Sequence, residues 1–120
     1  MPKVVVRAYA DALFFVPLNK DRSEGFWARP VTRTQYAEAR REAMLEAGGD
    51  LEIAEAMTAL RLLQTHVVDW KGFFAPDGEA VPYSREVMRD LWECDAALFA
   101  HLYLCLREIA RLGDVDDAKN

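Results

Sequence analysis

Trp70-Lys71-Gly72-Phe73-Phe74-Ala75-Pro76-Asp77-Gly78-Glu79-Ala80-Val81-Pro82-Tyr83-Ser84 is the stretch on which the chain turns. Helical patterns flank it on both sides, yet Gly72, Pro76, Gly78 and Pro82 interrupt it too often for it to be helix itself. Pro76-Asp77-Gly78 reads as a turn with a mechanism. Proline presets φ, aspartate bonds its own backbone, and glycine supplies the positive φ that closes the loop. A small hairpin is therefore expected, with Phe73 and Phe74 on one arm and Ala80 to Pro82 on the other. Adjacent residues on such an arm face opposite ways, so one phenylalanine packs inward while its neighbour looks outward toward a partner, unless helices cover both. Ser84 stands where an N-cap belongs, its hydroxyl ready to accept an orphan amide of the helix that follows.

Working upstream, Asp50 is a natural cap for a helix in which Ile53, Met57, Leu60, Leu63 and Val67 form a stripe, widened by Ala56, Ala59 and Leu62. Between Leu51 and Val68 only Glu52, Glu55 and Arg61 carry full charge, which marks this as the central core helix. Before it, Thr32-Arg33-Thr34-Gln35 has the spacing of a capping box, and Tyr36, Ala39, Ala43, Met44 and Ala47 fall on one face of a surface helix that Gly48-Gly49 stops. The first thirty residues read as extended. Lys3 to Ala8 and Leu13 to Pro17 are Val- and Phe-rich runs expected to form a hairpin through Tyr9-Ala10-Asp11-Ala12. Asn19 to Gly25 is a polar loop, and Phe26 to Arg29 a third strand that Pro30 ends or confines to an edge. Such a sheet needs a helix laid on one face.

Downstream, Arg85 to Trp92 predicts a short helix, and Asp95 caps a second one running to about Leu112, where Gly113 ends it. Ala96 to Leu106 carries no charge. Leu98, Leu102, Cys105 and Ile109 make one stripe, Phe99, Tyr103 and Leu106 a second, and Leu104 and Ala97 point elsewhere. A helix apolar nearly all round must be covered on more than one side, by its own domain or by another chain. Asp114 to Asn120 has no periodicity and is expected to fray. The fold class is thus α+β, mainly α: a small N-terminal antiparallel sheet of two or three strands, then about four helices, with the short hairpin between the second and third. One domain holds it all, divided into a sheet (1–31), a helical pair (32–69), the hairpin joint (70–84), the C-terminal helices (85–112) and a frayed tail (113–120).

Composition narrows the function. With 120 residues, 52% hydrophobic and 29% charged, the chain has the make-up of a globular domain. Its net charge of −5 argues against nucleic acid as a partner, because the binding energy there comes from cations on phosphates. Arg29, Arg33, Arg40 and Arg41 before a helix–turn–helix spacing invite a DNA-reading interpretation, but Glu38, Glu42, Glu46, Glu52 and Glu55 would meet phosphates with the wrong sign. No apolar run approaches membrane-spanning length and Val4 to Val6 is too short for a signal-peptide core, so a cytoplasmic protein with no membrane partner is expected. There is no phosphate loop, no paired-cysteine metal spacing and no HExxH, so no cofactor, metal or catalytic residue is assigned. His101 and Cys105 lie one helical turn apart, yet an apolar setting raises a thiol pKa and leaves it inert. Cys94 and Cys105 are eleven positions apart; if one helix continues through Glu93 to Asp95, about 16 Å of rise separates them, too far for a disulfide, and both are read as buried thiols.

A family resemblance runs through the opening stretch. Trp70-x-Gly72-Phe73, Asp77-Gly78, and Val81-Pro82-Tyr83-Ser84-x-Glu86 followed by Leu91 resemble the segment that links two helical parts in small tail assembly chaperones, and related tail proteins, of long-tailed bacteriophages and prophages. Phe73 and Phe74 stand where that family more often has an aliphatic and an acidic residue. The resemblance implies a non-enzymatic, mostly helical and often multimeric protein that holds the tape-measure protein soluble until tail-tube subunits replace it. Trp70, Gly72, Asp77, Gly78, Pro82 and Ser84 are then the structural motif. The partner-binding face is expected at Phe73, Phe74, Phe99, Tyr103, Leu104 and Leu106, offered to a helix of the tape-measure protein or to a second copy. The alternative is a structural tail component, a tail-tube or completion subunit retained in the virion, with its contacts made by the N-terminal sheet.

Overall fold

The path from helix to sheet in the middle of the chain shows why this protein is α+β and not a helical bundle with a sheet attached. In the computed structural model, which describes residues 2–119, helix α2 (Leu51–His66) passes into strand β3 (Val67–Lys71) with no loop between them. Two bonds clasp the junction: Arg29 N–H donates to the His66 carbonyl at 3.0 Å, and the His66 ring Nδ1 lies 3.2 Å from the Arg29 carbonyl. The first satisfies a carbonyl that the helix end would otherwise leave orphaned. Val67-Val68 then favours a pleated conformation. Trp70, expected to open the joint, is therefore a strand residue.

β3 lies at one edge of a four-stranded antiparallel sheet of order β3-β2-β1-β4, with β1 Phe14–Pro17, β2 Gly25–Ala28 and β4 Asp114–Val115. The expected strand at Lys3 to Ala8 does not form. Both edges of β1 are taken, by β2 and β4, so Val4 and Val6 have nothing to pair with and stay exposed ahead of a 3-10 turn at Arg7–Tyr9. The tail expected to fray instead supplies β4, pairing Phe14 with Val115 and Phe15 with Asp114, and the Asp116 amide donates to the Leu13 carbonyl at 2.8 Å. Asn120 and Met1, the outermost residues of the expected tail and start, lie outside the described residues.

Helices cover one face of the sheet. Phe14, Val16, Phe26, Ala28, Val67 and Trp70 point into a core with Leu62 and Leu63 of α2, Met88 of α3 (Arg85–Cys94), Leu102 and Leu106 of α4 (Ala96–Arg107), and Ile109 of α5 (Ile109–Leu112). A register shift at Trp27/Ala28 opposite β3 lets Val67 and Trp70, three positions apart, both face inward. Helix α1 (Arg33–Glu46) packs on α2 and buries only Ala43. Its capping box is formed, with the Thr32 hydroxyl accepting from Gln35 N at 3.1 Å and the Gln35 side chain accepting from Thr32 N at 2.9 Å. Gly48 and Gly49, at φ +61° and +86°, turn the chain into α2, whose cap Asp50 accepts from Glu52 N and Ile53 N.

Two further expectations are corrected here. Of the stripe expected on α2, Leu60, Leu63 and Val67 are buried with Ala59 and Leu62, but Ile53 is exposed, and Ala54 and Thr58 extend the buried side instead. Small side chains are what a close helix–helix contact needs, and the Thr58 hydroxyl is satisfied by the Ala54 carbonyl at 2.6 Å. The second C-terminal helix, capped by Asp95 through Leu98 N as expected, does not run unbroken to Leu112, because Glu108 breaks α4 from α5.

Candidate functional site

The hairpin joint is built around Trp70. Its indole N–H donates to the Val81 carbonyl at 2.7 Å, Phe73 stacks on it at 4.1 Å with planes 6° apart, and Tyr83 meets it edge-on at 5.2 Å. Gly72 at φ +79° turns the chain out of β3, and an added methyl there would meet the Ser23 carbonyl at 2.5 Å. The Gly78 amide closes the turn onto the Ala75 carbonyl, the Asp77 carboxylate accepts from Glu79 N at 3.0 Å, and Val81 N donates to the Phe73 carbonyl. Pro82 lies exposed between the two aromatic contacts of its neighbours, and Ser84 Oγ accepts from Val87 N at 3.0 Å to start α3. With Phe73 turned in, Phe74 turns out, 65% exposed beside its bridge partner Ala80. Burial raises the pKa of the Tyr83 phenol, whose hydroxyl has no hydrogen-bond partner among the described residues.

Helix α4 divides the other expected contact residues. Phe99 and Leu106, placed by sequence on the docking face, are buried in the core and offer nothing to a partner, because α2, α3 and α5 enclose that side. Leu104 is 61% exposed. Tyr103 is half-buried, its phenol pKa raised by burial, and the neighbouring Arg107 guanidinium sits 4.6 Å from the ring of Tyr36 on α1. The exposed side of α4 is therefore Ala97, Ala100, His101 and Leu104, narrower than the sequence led us to expect. His101 is exposed and not in an apolar setting; its Nε2 lies 3.9 Å from Cys105 Sγ, whose thiol is pushed up by burial and stays protonated. Cys94, read as buried, is exposed at the end of α3.

Two features escaped the sequence reading. Leu45, 79% exposed, stands with Leu51 and Ile53 around the α1–α2 turn as an apolar tip. Phe15 and Trp27 pair on the sheet face away from the helices, with centroids 4.8 Å apart. The signal for the second was present in Phe14-Phe15-Val16, since consecutive apolar residues in a strand mean that both faces are covered.

A groove of about 420 Å³ runs between α1, α2 and α3, with Glu42 and Glu46 lining it already engaged by Arg61. His66 borders the same groove, its pKa lowered by burial against the opposing pull of the Arg29 and Pro30 carbonyls. Among the described residues no group of three or more His, Cys, Asp or Glu is placed to hold a metal ion, and no helix is long and apolar enough to cross a membrane. No family model matches the chain, and no curated protein or solved structure matches it either.

Proposed function

We propose that this protein is a non-enzymatic tail assembly chaperone of a long-tailed bacteriophage or prophage, acting in the host cytoplasm on helices of the tape-measure protein. The observation that carries the reading is Phe74: a large aromatic held in the open by a hairpin whose every neighbour is fixed, from the Trp70–Phe73 stack to the Asp77 turn. Rigid aromatics in that setting are what binding surfaces use, because little side-chain entropy is lost on contact. On α4, exposed Leu104 beside half-buried Tyr103 offers a second apolar contact point for an amphipathic helix. The net charge of −5 limits non-specific association. Tail-tube protein and a second copy of this chain are the other partners this role entails.

Co-expression tests it. The long helical tape-measure protein from the same genome is expected to be soluble with this chain and insoluble without it, and Phe74→Asp with Leu104→Asp should abolish the rescue while leaving the chaperone folded. Equal insolubility with and without the chain would end the proposal. Recovery of the protein in purified particles would instead favour a structural tail subunit.

A further inference from the structure

Phe15 is 5% exposed, yet it lies outside the core that the helices build. Its cover is the C-terminal segment and a ring of cations. After β4, the Trp27 indole N–H donates to Asp116 Oδ2 at 2.6 Å, Lys119 Nζ lies 4.2 Å from the Trp27 ring and 3.5 Å from Asp69 Oδ2, and the Asp116 amide holds Leu13. Around this seat, Arg22 and Lys71 sit 5.0 and 4.9 Å from the Phe15 ring, while Lys3 and Arg22 reach Asp114 at 3.3 and 3.6 Å. The seat is thus aromatic and, apart from Asp69, lined by the cations Lys3, Arg22 and Lys71 in a chain whose overall charge is negative, and the segment in it carries Asp114, Asp116 and Asp117. Nor does that segment fill it. β4 pairs only with Phe14 and Phe15, Gly113 and α5 close the rest of the β1 edge, and a pocket of about 260 Å³ remains on the outside between Phe15, Arg22 and the segment.

We propose that the β1 edge now held by β4 is a strand-exchange site for an acidic, extended segment of another protein, and that residues 114–119 occupy it as a built-in stand-in. A two-residue strand is a weak hold, and an acidic strand that displaces it at Leu13 to Phe15 places carboxylates against Lys3, Arg22 and Lys71. While the tail is seated, the competent fraction is small and the apparent affinity falls in proportion. This inference does not rest on the proposed function and stands for any binding role.

The probe is a fluorescent peptide copying residues 113–120, titrated by anisotropy into the full-length chain. In the double variant Asp116→Ala/Lys119→Ala, which loosens the tail by removing one half-buried and one exposed side chain, the peptide should bind about tenfold more tightly than to wild type. Adding Lys71→Glu should cancel the gain, and raising salt should weaken it. Matching far-ultraviolet circular dichroism and cooperative urea unfolding of all variants confirm that they are folded. Equal affinity for wild type and the freed variant overturns the proposal, as does equal binding of a peptide with its aspartates changed to lysine. A dimer formed by tail exchange that excludes the peptide also overturns it, by assigning the seat to a second copy.

Discussion

Two aromatic clusters flank the sheet, and they are held in opposite ways. Trp70, Phe73 and Tyr83 form one, on the helix side, with all partners inside a span of fourteen residues and the indole bonded to Val81. Phe15 and Trp27 form the other, on the far side, and the indole there is bonded to Asp116, 89 positions away. The first cluster costs little loop entropy to assemble, because turn residues already bring its arms together. The rings of the second also meet across a local hairpin, Phe15 opposite Trp27, but its indole bond and its cover form only after β4 has returned to β1 across the whole domain. A tryptophan with a hydrogen-bonded indole is thus a core post in one place and a latch in the other.

If that contrast is right, removing the local cluster should cost most. Trp70→Ala, at a buried position with a stacked neighbour, is expected to destabilise the fold by about 3–5 kcal/mol in urea unfolding. A loss under 1 kcal/mol would break the comparison, since the joint would then be decoration on a core that stands without it. Next is Gly72→Ala. Positive φ and the Ser23 carbonyl both oppose a methyl group, so roughly 1–3 kcal/mol should be lost, with Phe74 released from its fixed presentation. Ser84→Ala should cost about 1 kcal/mol through the lost cap of α3, and a Ser84→Asp variant should recover most of it.

The same contrast explains what could be read from the residues alone. The capping box at Thr32, the Asp50 and Asp95 caps, the Gly48-Gly49 stop and the Pro76-Asp77-Gly78 turn are short-range chemistry, and each formed where its letters stand. The strand at Val67–Lys71 was hidden because no glycine or proline marks the end of α2; the punctuation comes from Arg29, far away in sequence. β4 was hidden because two residues with a single valine carry no pattern, and its neighbour β1 selected it over the more β-like Val4 to Val6. At the candidate site, alternation predicted that one of Phe73 and Phe74 would look outward without saying which, and helical spacing set Leu104 apart from the two apolar stripes. Phe99 and Leu106 did not, because an apolar helix does not announce which of its sides the domain will cover.

His66 gives the contrast a pH dependence, since it is the other place where a distant residue, Arg29, ends a local element. Burial lowers its pKa in the folded chain. At high pH the imidazole is neutral in both states; as pH falls below the ordinary value of 6.5 the unfolded chain takes the proton first, so stability declines until the folded pKa is passed and then levels off. His66→Asn, which keeps a donor near the Nδ1 position, should flatten the urea midpoint across that window. An unchanged slope would show that another group titrates.

The smallest effect should come from the latch itself. Lys119→Ala removes the cation over Trp27 and the contact with Asp69 at an exposed site, where ion pairs contribute little. The urea midpoint should not move measurably, while the amide of Asp116, bonded to Leu13, should exchange with solvent several-fold faster by hydrogen exchange. A core post cannot behave this way, because its loosening is the unfolding of the domain, whereas a latch opens at far lower free energy than the fold it closes. Uniform acceleration of exchange across β1, β2 and β3 together with β4 would make the tail an integral strand, and the two clusters would then differ only in the length of chain between their partners.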